Sequence, residues 1–410
     1  MNLITDPWIP VLLQDGTTQH IAPHEITRSE NPPIRIHSVR SDFDGALIQF
    51  LIGLLQTAAT PDTEDAWWDW LETPPSPDTL RQLFSPFEYA FHLDGDGPRF
   101  MQEYAPPDIN KWKEAEIGYL LPDYPGDQTL EHNKDLFMSR HSVQKTCPSC
   151  TATMLYVDAL TGLGVGPGYR EGLRKAGPVT VCLEGEILWE SIWLNVLHRS
   201  AYENDGTCPD LTSGWSRFPW TDTNRLSKMD SGEKDSKGNA IMVDAPEIEP
   251  PEVHPDHRYW ATSHRVRLLP PEILELPEIC DVCTHETRTI YREFIRNNHG
   301  SKYNASNFRY PLTPYETKKE NMLPVATRDV DLDYRLWVRL INGSLIAENI
   351  RRFFRLGKTS FESHVGLWVF GYSNKKGSIK DWREVRMPAI TSHPTDNEWL
   401  EQVDLYILFK

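Results

Sequence analysis

Basic residues are scarce in this chain of 410: 42 Lys and Arg stand against 59 Asp and Glu, for a formal net charge of −17. A surface so balanced repels phosphate at long range, which excludes a general, sequence-blind nucleic-acid binder. Long apolar runs are missing as well. The most apolar stretch, ALIQFLIGLLQTAA at 46–59, falls short of the ~20 residues that cross a bilayer and predicts a buried helix instead. The opening MNLITDPWIPVLLQDG lacks a basic n-region and carries Asp6. Neither a secretory signal nor membrane contact is expected, and the expected location is cytoplasmic.

The usual catalytic signatures are also lacking. LGKTS at 356–360 ends like a phosphate loop, but Arg352 stands where that loop needs its first glycine. The G-x-G at Gly164 and Gly166 is followed by Tyr169 where a dinucleotide fingerprint needs its third glycine. Neither H-E-x-x-H nor G-x-S-x-G occurs, and the 14 His show no ligand spacing. DVDLD at 329–333 reads as the solvated face of a strand. No internal repeat is visible. These absences favour a non-catalytic role, with a zinc-stabilised enzyme of non-standard motifs as the alternative.

What is present is aromatic and loop-rich: 14 Trp and 32 Pro. The length alone suggests two or three subdomains. Charge is unevenly spread. Residues 61–96 hold nine acids and one base, and 229–256 hold eight acids and two bases. By contrast, 334–386 hold eleven bases and four acids, and 131–175 hold six bases and four acids. Basic stripes on an acidic body suit local contact with nucleic acid. Short strands and turns are predicted over 1–40, helices over 44–58 and from WWDWLE onward, and long loops over 104–145. PVTVCLEG (178–185) alternates as a strand, ESIWLNVLHRSAY (190–202) reads as a helix, and RYWATSHRVRLL (258–269) returns to strand-like alternation. The acidic, Pro-rich segment 228–257 predicts an exposed insertion. YRLWVRLINGSLIAENIRRFFRL (334–356) predicts one long helix, with Arg335/Arg339 and Arg351/Arg355 at i,i+4 spacing.

Four of the six cysteines form two C-x-x-C knuckles, Cys147/Cys150 and Cys280/Cys283. Two such knuckles supply the four thiolates of a tetrahedral zinc site, and four thiolates leave no open position for a water, so the zinc would be structural. The 129-residue spacer is long for a compact ribbon, and two separate redox or structural turns are the rival reading. Cys182 lies in the predicted strand and reads as a small buried hydrophobe, while Cys208 carries no signal.

Between the knuckles lies GLGVGPGYREGLRKAGP (162–178), with six glycines and two prolines. Taken with NLITDPWIPV near the start, CPSC, CDVC and the late GYSNKKGSI (371–379), it resembles the CasA family in order and spacing. CasA is the large subunit of the type I-E Cascade, an RNA-guided DNA-surveillance assembly. The resemblance runs to about residue 390 and implies an α+β fold: a large mixed domain of twisted strands and helices with long loops. It also implies a reader of the PAM duplex that works mainly from the minor groove, whose degenerate code relaxes the choice of sequence.

Carried over by position, the loop that meets DNA is Gly164, Gly166, Pro167 and Gly168, followed by Tyr169 and Arg170. Pro167 departs from the family's glycine and has no N–H to donate. Lys302, and after it Arg296, takes the place of a lysine contacting the same groove. Asn374, Lys375, Lys376 and Gly377 take the place of the wedge that splits the first base pair. Lys376–Gly377 stands where the family has glutamine and a small residue, and a lysine cannot supply an amide's paired donor and acceptor. Phe137, or Leu136 in its stead, takes the aromatic position of a loop that reaches the guide RNA and neighbouring subunits. The partners implied are the other Cascade subunits, guide RNA, double-stranded target DNA and a helicase–nuclease or nuclease-bearing subunit. The family continues into a helical bundle, whereas residues 391–410 offer only a short tail.

Overall fold

Strands β1 (Ile9–Leu13), β2 (Thr18–Ile21) and β3 (Pro33–Ile36) form an antiparallel sheet in the order β2–β1–β3. The first connection turns at Gly16, which has φ +85°. The computed structural model describes residues 1–104, 109–126, 131, 139–164, 168–203, 217–222, 226–236, 238, 240–345, 347–356, 365–375 and 378–389. Helix α1 (Ser41–Ala58) follows, with 15 of its 18 residues buried. A helix that is apolar all round has no solvent face, so neighbours wrap it. At its centre Phe50 meets the rings of Trp8, Phe91, Phe100, Tyr156 and Trp260 edge-on at 5.1–6.0 Å. Such edge-to-face pairs add stability beyond the area they bury, and they take in Trp8 and Trp260.

Around this core the chain lays down α2 (Glu64–Glu72), α3 (Pro77–Phe84), β4 (Lys113–Glu116), α4 (Pro148–Thr161), β5 (Thr180–Glu184), α5 (Leu188–Trp193) and α6 (Arg199–Tyr202). Then come β6 (Lys228–Lys234), β7 (Ala240–Asp244), α7 (His257–Trp260), β8 (Arg265–Leu268), β9 (Glu272–Ile279), β10 (Glu286–Ile290) and β11 (Glu293–Asn297). Last are β12 (Tyr315–Lys318), β13 (Asn321–Pro324), α8 (Tyr334–Ile341), α9 (Glu348–Leu356), β14 (Gly366–Lys375) and β15 (Ser378–Pro388). The sheets are small and draw on distant segments: β4–β11–β8 and β15–β14–β5, beside the hairpins β6–β7, β9–β10 and β12–β13. This is the mixed α+β fold expected.

Several local expectations need correcting. The helix foreseen over 334–356 is two helices. Gly343, with φ +73°, turns the chain just after Asn342, the C-cap of α8, and Leu345 and Ala347 bury in the break. The helix foreseen over 190–202 splits around Asn195, whose buried amide exchanges hydrogen bonds with the Leu183 backbone N–H (2.9 Å) and carbonyl (2.8 Å) of β5. In 258–269 only Arg265–Leu268 is strand; the first residues complete α7. DVDLD forms no strand but a 3-10 turn and bends. Within 104–145, β4 and two 3-10 turns interrupt the loop. In 228–257 the hairpin β6–β7 is exposed, but Ile248, Val253, Asp256 and His257 bury.

Candidate zinc centre and nucleic-acid interface

Helix α4 starts on the first knuckle. Cys147 is its N-cap, and the Cys147 Sγ accepts the Cys150 N–H at 3.5 Å. The second knuckle joins β9 to β10, with the Thr284 N–H donating to the Cys280 carbonyl at 2.9 Å. Asp281 fastens the two together: its Oδ2 accepts the N–H groups of Gln144 (2.8 Å) and Lys145 (3.0 Å). All four sulfurs lie within 4.8 Å of one another, and the Cys147 and Cys283 Sγ atoms are 3.7 Å apart. Tetrahedral zinc with Zn–S bonds of about 2.3 Å separates its sulfurs by about 3.8 Å, whereas a disulfide requires about 2.05 Å. The donor set therefore fits zinc.

The four thiols share protons unevenly. Hydrogen bonds from Cys147, Cys150 and Cys283 hold the Cys280 thiol well below its ordinary range, and the Cys147 contact foremost lowers Cys283 to about 7, while the same mutual contacts push Cys147 and Cys150 up. The Cys147 N–H donates to the Cys280 Sγ at 3.3 Å, stabilising a thiolate there. Cys182 is fully buried on β5, where desolvation pushes its thiol up. Cys208 lies outside the described residues.

The opposite end of α4, ~21 Å away at 1.5 Å per residue, delivers the glycine segment. Gly162 is the helix C-cap. The segment then folds back on itself: the Gly172 N–H donates to the Gly162 carbonyl (3.1 Å) and the Gly177 N–H to the Thr161 carbonyl (3.0 Å). Buried Arg174, which charge counting alone did not single out, anchors this return. Its Nη1 donates to the hydroxyls of Thr180 and Thr313, each at 3.0 Å, and the guanidinium lies 4.0 Å from the Tyr310 ring centroid. Gly168 has φ +83°, and a Cβ there would lie 2.8 Å from the His299 ring. A Cβ at Gly164 would meet nothing closer than 3.6 Å, so packing does not require glycine there. Gly166 and Pro167 lie outside the described residues.

Two of the sequence candidates meet at Tyr169. The Arg296 guanidinium covers its ring at 5.5 Å, and His264 approaches its edge at 6.1 Å. The His264 Nδ1 pairs with the Asp158 Oδ2 at 2.7 Å. Burial opposes a charge on this imidazole, but Asp158 and the carbonyls of Leu163 and Arg170 outweigh it and hold its pKa above the ordinary value. His264 gave no signal in the sequence, because its partner is 106 positions away. Arg170 donates from Nε to the Ser227 Oγ at 2.7 Å, and its Nη2 lies 3.6 Å from Asp244, which also binds Lys228 at 3.0 Å. The base of the acidic hairpin thus sits beside the glycine loop. Lys302 is half-exposed and paired with Glu247 at 2.6 Å, and its charge also acts on Asp244.

The late segment is the hairpin β14–β15, paired from Gly366↔Pro388 to Lys375↔Ser378. Asn374 is buried within it. Its Nδ2 donates to the Ala176 carbonyl at 2.9 Å, and its Oδ1 accepts from the Arg328 Nη1 at 2.8 Å. The Thr327 N–H donates to the Gly177 carbonyl at 2.9 Å. The structure thereby brings the neck of the glycine segment and the end of the hairpin together. Lys375 is exposed. Lys376 and Gly377, like Leu136 and Phe137, lie outside the described residues.

Residues 2–407 match the family model described as CRISPR-associated protein Cse1. The chain belongs to the Cse1 family. The resemblance carried by the motifs is borne out, and the match extends past residue 390, where the motif resemblance stopped. Among solved structures, the chain is similar to CasA of Thermus thermophilus (18% identity, TM-score 0.68, covering 98% of this chain and 75% of that one). It is similar to Thermobifida fusca Cse1 (17% identity, TM-score 0.65, 95% and 73% covered) and to a chain of a CRISPR RNA-guided surveillance complex (16% identity, TM-score 0.62, 97% and 77% covered). At these identities the likeness establishes the fold. The chain spans about three-quarters of the length of these Cse1-fold chains.

Proposed function

We propose that this chain is the DNA-recognition large subunit of an RNA-guided type I-E Cascade, working with guide RNA, the other Cascade subunits and a helicase–nuclease or nuclease-bearing partner. It is not itself a catalyst. The glycine loop enters the minor groove of the PAM duplex, and Lys302 or Arg296 supports it there. The hairpin tip, from Lys375 to Gly377, opens the first base pair, after which guide pairing propagates from the seed. Residues 1–390 act as one recognition unit. Cys147, Cys150, Cys280 and Cys283 would hold a zinc ion, which would supply a structural clamp. Helix α4 carries that rigidity to the loop.

The observation that carries this reading is the junction of Asn374 with Ala176 in a Cse1-family chain. A reader and a wedge that act on adjacent base pairs need a steady spacing, and a hydrogen bond from the hairpin to the neck of the glycine segment supports that reading. The test is reconstitution with the other subunits and a guide, followed by selection on a randomised-PAM duplex library. The expected result is enrichment of particular PAMs that Gly164→Leu abolishes, with its melting temperature measured beside that of Gly164→Ala, whose Cβ meets nothing closer than 3.6 Å among the described residues. Selection unchanged by Gly164→Leu would overturn the loop's role.

The enzyme reading has one feature in its favour. A cleft of about 1440 Å³ is lined by His254 and Asp256, which burial shifts to about 4 and about 6. Asp256 is already engaged by the Tyr202 hydroxyl at 3.1 Å and Arg217 at 3.3 Å, a structural arrangement.

A further inference from the structure

One basic motif has no part in the reading above: Arg351 and Arg355, one turn apart on α9. They line a cleft of about 880 Å³ shared with α6, the 309–315 segment and β13. Arg258, Arg309 and Arg352 line it too, against two acids, Glu64 and Glu348. Arg351 contacts Glu348 at 3.0 Å yet keeps 44% of its side chain exposed. Arg355 is exposed and has no partner among the described residues. Arg309 donates to the carbonyls of Ser306 (2.7 Å) and Phe308 (2.8 Å), which do not neutralise it.

Arg352 lies beneath them, 6% exposed, with its guanidinium 3.9 Å from the Trp67 ring centroid. Its Nη1 donates to the Val196 carbonyl at 2.8 Å, while Nε and Nη2 have no partner among the described residues. Burial lowers its pKa only to about 10, so the cation persists at neutral pH. A buried charge without a bonded counter-charge is costly, and an anion in the cleft above it offsets that cost.

We propose that this cleft binds the phosphates of a single-stranded nucleic acid through Arg309, Arg351 and Arg355, over the buried charge of Arg352. The proposal rests on the reading of this chain as one that opens a duplex, because opening leaves one strand unpaired and its phosphates uncovered. Guanidiniums a helical turn apart, with a rise of ~6 Å, present planar forks suited to phosphate oxygens. Backbone contacts of this kind hold a strand whatever its sequence. On a body of charge −17 they need a local excess of cations, which this cleft has.

The test is fluorescence anisotropy of a labelled oligothymidylate with the full chain across a salt series. The double variant Arg351→Gln with Arg355→Gln is expected to weaken binding about tenfold and to flatten the log–log salt slope by about 1.4, two phosphate contacts at about 0.7 each. If the double variant melts early, Arg355→Gln alone, at the unpartnered position, is expected to give half the slope change. Unchanged affinity and slope would overturn the proposal. So would displacement of the oligonucleotide by polyglutamate at equal charge, which would assign the cleft to an acidic protein. Gly164→Leu separates this inference from the PAM reading: it is expected to abolish PAM selection and leave oligothymidylate binding intact.

Discussion

Gly164 and Gly168 are glycines for different reasons. A side chain at Gly168 would strike His299 in a left-handed backbone, so the fold itself demands glycine. Nothing in the packing demands it at Gly164, which leaves that bare backbone free to serve something outside the chain. His264 makes a different point at this scale. Its pKa is raised above 6.5 in the folded state. Its charged bond to Asp158 therefore stabilises the fold fully below pH 6.5, and this contribution is lost as pH rises through the raised folded value. His264→Gln is expected to cost about 1.5–3 kcal/mol on the acidic side, the worth of a hydrogen bond to a charged group, and progressively less as pH climbs. Urea unfolding of both proteins across roughly pH 6–9 measures the gap; a gap that does not change with pH would refute the role given to Asp158.

Helix α4 is the element on which the site depends. Its first turn belongs to the cysteine cluster and its C-cap opens the glycine segment, so the clamp at one end limits how the other can move. One zinc per chain is expected by metal analysis of protein prepared without chelator. Its removal, or Cys280→Ser with Cys283→Ser, is expected to lower stability by several kcal/mol, at least ~3 on the scale of structural zinc sites, and to expose the 162–178 segment to protease. Stoichiometric loss of zinc with an unchanged urea midpoint would show that the cysteines alone suffice. Elements such as α1 and β5 were legible because their apolar patterns are continuous. The break between α8 and α9 was less so: Asn342–Gly343 was visible, but whether two amphipathic segments run on or turn depends on where each finds a surface to bury against.

Across the whole molecule, net charge conceals the arrangement. The acidic hairpin β6–β7 does not stand apart from the basic site. Its Asp244 binds Lys228 and approaches Arg170, which tempers the positive potential beside the loop. The hairpin β14–β15 meets the neck of the same glycine segment, at Ala176, from another part of the chain. In a reconstituted complex, Lys375→Ala with Lys376→Ala is expected to slow R-loop formation by about tenfold, a change of roughly 1.4 kcal/mol in the barrier, while capture of PAM duplex falls far less. Stopped-flow reporting of base-pair opening separates the two, and an unchanged opening rate would remove the wedge role.

The sequence by itself determined the family, through the order of its motifs, and the two pairs of cysteines that could hold a metal, because each C-x-x-C turn fixes a pair of sulfurs locally; that the two pairs meet was decided by the fold. It also determined the buried helix α1, whose apolar pattern is short-range. Only the tertiary structure decided that Asn374 reaches Ala176, that Arg174 is an anchor rather than a free cation, and that His264 pairs with Asp158 beside Tyr169. It alone gathered the arginines around Arg352. Each of these depends on residues far apart in the chain, and the energy of a buried polar group is set by the partner that folding brings to it, which no local pattern encodes.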